Sequence, residues 1–319
     1  LGPRQLRGLR WPRPRKRLRR RRGPPPHRRL RGGRHQRRNL CRRSPTFQGL
    51  QRGCDAQVLV CGDLHGRLPL LQEVLQGLRE KGTPADFVLA AGCFLPTHVR
   101  RQMADFMGPS PVQTLSAPVF FVDSSSEEFI SRAVETSSSC QLGRRLTFLG
   151  GCGVTEIQGL RVAFLSGTYE EADFRSIWGV KTFKEKDGNG QGAHYTKLAL
   201  NQIKRQASEI AGRKIDVLLT SEWPDTFWST AFKKEAANPV DRRFSSPAVR
   251  QLFFELKPRY HVHAGANVCR FRKADQGPHD FVCNSAALAE AHVGSDAEDK
   301  RWYQLITMRP GDSGRAEAQ

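Results

Sequence analysis

Gly62-Asp63-Leu64-His65-Gly66 sets a carboxylate and an imidazole two residues apart, directly after the apolar run Gln57-Val-Leu-Val-Cys61. Turned toward one point, the two side chains form a mixed oxygen and nitrogen donor pair that suits a divalent ion such as Mn, Fe or Zn. The same five residues also read as a capping Asp and a surface His in a tight turn, and both readings stand at this point. Position argues for a site, because ligands of open α/β sheets sit outside the carboxyl ends of the strands.

Further elements follow from the apolar pattern. Leu71, Leu75 and Leu78 recur at helical spacing within 68–81, and Asp86-Phe-Val-Leu-Ala-Ala91 and Pro118-Val-Phe-Phe-Val122 read as buried strands. Helix-like stretches around 100–107 and from Glu127 complete three strand, loop and helix units, which implies right-handed crossovers and a parallel sheet. The middle of the chain changes to hairpin signals: 146–150, then 153–157, a Gln158-Gly159 turn and 160–166. A long helix over 195–211, a strand over 216–220, a helix over 247–256 and a strand over 259–264 follow, while 174–192, with Asp187-Gly-Asn-Gly190, reads as a long loop. We find no internal repeat.

Charge is confined to one end. Of 52 Lys and Arg residues, 20 lie in residues 1–53, which contain no Asp or Glu, so the remainder holds 32 basic against 31 acidic residues. The first 53 residues are mostly Arg, Pro, Gly and Leu, a composition that buries no core and is expected to be disordered. As an arm it would be a nuclear-localisation signal or an RNA-phosphate contact; translated GC-rich untranslated sequence and a transit peptide are the competing readings. The eight cysteines show no CxxC pair or regular spacing, which fits reduced thiols better than disulfides or a zinc site. No apolar stretch approaches the roughly 18 residues of a membrane span, so no membrane partner and a soluble, intracellular protein are expected.

Taken together, strand-Gly-Asp-x-His-Gly, the strand ending at Gly92, the polar cluster Asp123–Ser126 and Thr220-Ser-Glu-Trp-Pro224 resemble the calcineurin-like metallophosphoesterases. More narrowly, Phe148-Leu-Gly-Gly-Cys-Gly-Val154, Gly159–Thr168, Val217–Pro224, Leu256-Lys-Pro-Arg-Tyr-His261, the segment 288–294 and Lys300–Tyr303 resemble the N-terminal domain of CwfJ, or Cwf-nineteen-like, splicing proteins, relatives of the lariat-debranching enzyme. The resemblance covers residues 57 to about 310. It implies an α/β fold, a metallophosphoesterase-like β-sandwich of two mixed sheets flanked by helices, spanning 54–310 between tails at 1–53 and 311–319.

Active members of that superfamily hold two metals about 3.5–4 Å apart, bridged by a carboxylate. Carried over by position, Asp63 and His65 match the first ligand pair. Cys93 stands where the bridging carboxylate belongs, Asp123-Ser-Ser-Ser126 replaces Gly-Asn-His, Ser221 replaces a His, and Gly265 and Asn267 fall where the last histidines belong. His263 substitutes only if the register slips; otherwise it reads as a core strand residue. Two cations could not be held close together by what is left. The chain also stops at Gln319, before the C-terminal CwfJ domains, and so reads as truncated or as a reduced member.

Two functions are therefore expected to compete. One is a non-catalytic adaptor in splicing or lariat turnover, nuclear, needing no cofactor, and presenting Trp223, Lys257, Arg259 and Tyr260 to spliceosomal or lariat-debranching proteins and RNA. The other is a residual phosphodiesterase using one divalent ion on Asp63 and His65, assisted by Asp123 and His263. Geometry separates them: Asp123 or His263 converging with Asp63 and His65 favours the enzyme.

Overall fold

The computed structural model describes residues 55–95, 103, 105–108, 110–124, 140–175, 183–185, 193–209, 214–225, 244–274, 281–294 and 297–311. The Arg-rich segment 1–53, the expected helix from Glu127 and half of that at 100–107 lie outside these residues, as does Asp187-Gly-Asn-Gly190.

Sixteen strands are assigned among the described residues: β1 Ala56–Cys61, β2 Phe87–Ala90, β3 Val119–Phe121, β4 Cys140–Gly143, β5 Leu146–Phe148, β6 Cys152–Ile157, β7 Leu160–Leu165 and β8 Phe183–Glu185, then β9 Ala193–Tyr195, β10 Val217–Thr220, β11 Trp223–Pro224, β12 Ser245–Ser246, β13 Tyr260–His263, β14 Arg270–Ala274, β15 Cys283–Ala287 and β16 Tyr303–Met308. The helices are α1 Leu68–Glu80, α2 Glu171–Phe174, α3 Lys197–Glu209 and α4 Pro247–Leu256. None is long and apolar enough to cross a membrane.

Two six-stranded sheets result, in the orders β16-β1-β2-β3-β5-β4 and β14-β15-β13-β10-β7-β6. Each has four parallel strands at its centre and one antiparallel strand on either edge. The expected two mixed sheets flanked by helices are therefore present.

Alternation along the strands explains both their apolar composition and the layering. Val58, Val60, Phe87, Leu89 and Phe120 of the first sheet pack with Val162, Phe164, Val217, Leu219 and Val262 of the second. Their neighbours Leu59, Cys61, Val88, Ala90 and Phe121 belong to the outer layer with Leu68, Leu71 and Leu75 of α1. The inter-sheet layer draws on residues before and after Gly150. Burying both faces favours apolar residues at most strand positions.

The residues read as a long loop at 174–192 in fact include β8, which pairs with β9 in a short antiparallel ladder. Tyr195 belongs to β9, so α3 begins at Lys197. The start of α4 is well made: Ser246 Oγ accepts from the N–H groups of Ala248 and Val249, and Pro247 occupies the first turn, where its missing N–H costs nothing. Ser246→Ala is expected to lower stability by about 1 kcal/mol in urea denaturation, the usual cost of a lost N-cap.

Candidate functional site at the strand tips

The loop after β1 is shaped by close backbone approach. A Cβ on Gly62 would lie 2.3 Å from the Ala289 carbonyl oxygen, so only glycine lets the segment after β15 pass this close. Asp63 follows and turns inward, 5% exposed. Its Oδ1 accepts from the Cys93 N–H at 2.6 Å and its Oδ2 from the Gly265 N–H at 2.9 Å. Its own carbonyl accepts from the Ala291 N–H. Burial pushes the Asp63 carboxyl up to about 7 against the pull of those two amides, and Glu290 and Asp123 add to the rise.

His65 takes a different direction. Its backbone is left-handed at φ 47°, and its Nε2 lies 3.9 Å from Glu290 Oε1, with about a third of the side chain exposed. Asp63 and His65 are two residues apart but engage different partners.

Asp123 repeats the pattern of Asp63. Fully buried, it accepts at Oδ1 from the N–H groups of Phe94 and Leu95 at 3.0 and 3.3 Å. Three consecutive amides, Cys93 to Leu95, thus face two carboxylates across the turn that Gly92 opens at φ 76°. A Cβ on Gly92 would stand 2.1 Å from Asp63 Oδ1, so the carboxylate rests directly on this backbone. The oriented amide dipoles present a positive field to the two carboxylates.

The histidines of β13 are core residues. Thr220 donates its hydroxyl proton to the Glu222 carbonyl, so its oxygen accepts from His261 Nε2 at 2.9 Å, which places the imidazole proton on Nε2. His261 Nδ1 is buried without a hydrogen-bond partner, and burial pushes this imidazole down to about 3. His263, equally buried, meets Ser285 Oγ at 3.0 Å through Nε2, and burial beside His261 holds it well below its usual range. His263 therefore faces a hydroxyl of β15, as the core reading of this residue requires.

Of the residues standing at expected ligand positions, Cys93 donates its thiol toward the Leu95 carbonyl, and Ser221 is buried with its hydroxyl unpartnered. Asn267, left-handed at φ 50°, accepts from the Glu290 N–H through Oδ1. Among the described residues no three His, Cys, Asp or Glu side chains are grouped to hold a metal ion. The candidate ligands engage separate partners: both Asp63 oxygens and Asp123 Oδ1 accept main-chain protons, His65 Nε2 faces Glu290 at 3.9 Å, and the His261 and His263 Nε2 atoms meet hydroxyls.

The residues expected to contact a partner divide. Trp223 is fully buried, packed edge-on against His263 at 4.5 Å and beside Ala287, so it serves the core and presents nothing to a partner. Lys257 is exposed and caps α4 in a left-handed conformation. Arg259 is half-buried and tied to Asp216 at 3.4 Å and to the Arg309 carbonyl, with its guanidinium 5.9 Å from the ring of Tyr260.

Two features escaped the sequence. Glu222 is buried beside Tyr195, whose hydroxyl lies 2.6 Å from both Glu222 Oε2 and Ser246 Oγ; Tyr169 donates its N–H to the same Oε2. Burial pushes the Glu222 carboxyl up to about 7. Second, Arg67, Asn267, Glu290, His292 and Lys300 surround a shallow depression beside His65. Arg67 and Asn267 lie in or beside segments that the motifs mark, but nothing in residue spacing joins them to Lys300.

No family model matches the sequence. CWF19-like protein 1 of Homo sapiens is 26% identical over 274 residues, 82% of this chain and 47% of that protein. The lariat debranching enzyme of Caenorhabditis briggsae is 24% identical over 243 residues, 67% of this chain and 46% of that protein. The chain thus spans less than half the length of these curated relatives. The solved structure of TT1561 from Thermus thermophilus overlays with a TM-score of 0.47 at 12% identity, covering 74% of this chain and 90% of that one. The inward-turned Asp63, on a loop after the first parallel strand of a two-sheet α/β domain, is thus the setting of a homologue of the CWF19-like proteins and the lariat debranching enzymes.

Proposed function

We propose that the chain is a non-catalytic adaptor in pre-mRNA splicing and intron-lariat RNA turnover, working in the nucleus with spliceosomal or lariat-debranching proteins and RNA. The observation that carries this reading is the state of Asp63. At the position where the resemblance expects the first metal ligand, both carboxylate oxygens accept buried main-chain protons, from loops of two different sheets. A carboxylate so engaged ties the two loops together, which supports a structural role for it. Relatedness to the CWF19-like proteins and the lariat debranching enzymes supports the lariat-related setting.

Two-metal hydrolysis needs a bridging carboxylate to offset the repulsion of neighbouring cations, and Cys93 stands in its place. The purified chain is therefore expected to give no substantial hydrolysis of phosphodiesters or 2′,5′-branched RNA with added manganese, and to retain less than one metal per chain by mass spectrometry after dialysis. Turnover that rises with bound manganese and disappears in His65→Ala would replace this reading with that of a single-metal phosphodiesterase.

A further inference from the structure

The depression at the strand tips encloses about 250 Å³ and is built from four separated stretches: Arg67 after β1, Asn267 after β13, Glu290 and His292 after β15, and Lys300 in the turn before β16. Its hydrogen-bond inventory is lopsided toward donors. Arg67 Nη1 donates to Glu290 Oε1 at 3.0 Å and to the Ala291 carbonyl, and the rest of the guanidinium makes no hydrogen bond to the described residues. Lys300 Nζ spends one of its three protons on the Asn267 carbonyl at 2.9 Å. Asn267 Oδ1 is taken by the Glu290 N–H, which leaves its two amide protons directed elsewhere. The one carboxylate present, Glu290, is already paired with Arg67.

What remains is a cation-rich hollow with an unspent guanidinium edge, ammonium protons and an amide NH2, whose complement is a compact anion with several acceptor oxygens. Arg67 also sits at the N-cap position of α1 without capping it, and the first turn of that helix holds no acidic residue, so the positive end of the helix dipole adds to the same field.

We propose that this depression binds a phosphate group directly through Arg67, Asn267 and Lys300, with no metal between. Such a site deepens the adaptor reading, on which it rests for the expectation that the phosphate belongs to RNA. The chemistry of capture is charge-assisted hydrogen bonding, and Lys300, half-buried at the end of an exposed turn, is the member chosen for replacement.

The test titrates the full chain, in chelator, with inorganic phosphate and with one short oligoribonucleotide carrying either a 5′-phosphate or a 5′-hydroxyl. Lys300→Glu and Lys300→Gln serve as variants, each checked by thermal melting. Phosphate is expected to bind wild type at about millimolar concentration, tenfold or more weaker in Lys300→Glu. The slope of log affinity against log salt for the oligonucleotide is expected to fall by about one in Lys300→Gln. Phosphate and oligonucleotide affinities unchanged in both variants would overturn the site. If the 5′-phosphate strengthens binding to wild type and not to Lys300→Glu, the source is a strand end; if phosphate merely competes with both strands, the site stands with a backbone phosphate as its source. Strand cleavage during the titration would overturn the adaptor reading and leave the site standing.

Discussion

Asp63→Ala is expected to destabilise the domain by about 2–4 kcal/mol. The Cys93 and Gly265 amides would lose their acceptor in a buried place, and each unmet buried donor costs about 1–3 kcal/mol. Relief of the buried carboxyl, whose ionisation is already resisted up to about pH 7, offsets part of that loss. For a domain of this size the change corresponds to a fall in Tm of about 5–15 °C. Asp63→Asn keeps one acceptor but turns an NH2 toward the other amide, so it should lose about half as much. Denaturation followed by circular dichroism measures both. A loss below about 0.5 kcal/mol in the alanine variant would show that Asp63 does not hold these loops together.

Glu222 gives the second large effect, as a pH dependence. Its folded carboxyl is raised from 4.5 to about 7 by burial, so the fold favours its protonated form. That contribution is fully present below the unfolded pKa and is lost as pH rises through about 7. Moving from pH 8 to pH 5 should therefore stabilise wild type over Glu222→Gln by about 2–3 kcal/mol, read as the difference between the two proteins' urea unfolding energies. The comparison is needed because His261, depressed to about 3, contributes stability present above 6.5 and lost on acidification, in the opposite sense. Parallel pH profiles for the two proteins would remove Glu222 as the source. A structural consequence accompanies the titration: ionised Glu222 accepts from Tyr195, whereas protonated Glu222 can donate to it and let Tyr195 donate to Ser246.

The central strands were legible because each buries both faces: Val58 to Cys61 and Val217 to Leu219 are continuous apolar runs whatever the register. The helix expected around 247–256 is α4, and the Ser246 cap and Pro247 seen in the structure account for where it starts. The strand β15, Cys-Asn-Ser-Ala-Ala, has small and polar residues that show neither alternation nor β-propensity, and only pairing with β13 and β14 makes it a strand. At the site, the residue types missing from the ligand positions could be read directly. What Asp63 does could not, because its partners are main-chain amides, one of them 202 residues away, and an N–H group leaves no mark on residue identity. Trp223 misled for a related reason: beside a proline, after a strand, it resembles a rim aromatic, yet β11 pairs with β12 and draws it inside.

The pairing of β1 with β16 has a bearing on how the chain reaches this state. Gln57 and Thr307, hydrogen-bonded across that ladder, are 250 residues apart. On a ribosome, the outer edge of β1 has to wait through nearly the whole domain's synthesis before its neighbour emerges. Until then an apolar strand with unpaired amides is open to any other nascent strand, and loop closure over such a distance is slow. Domain completion is consequently a late event, and the interval before it is when the chain depends most on protection from aggregation.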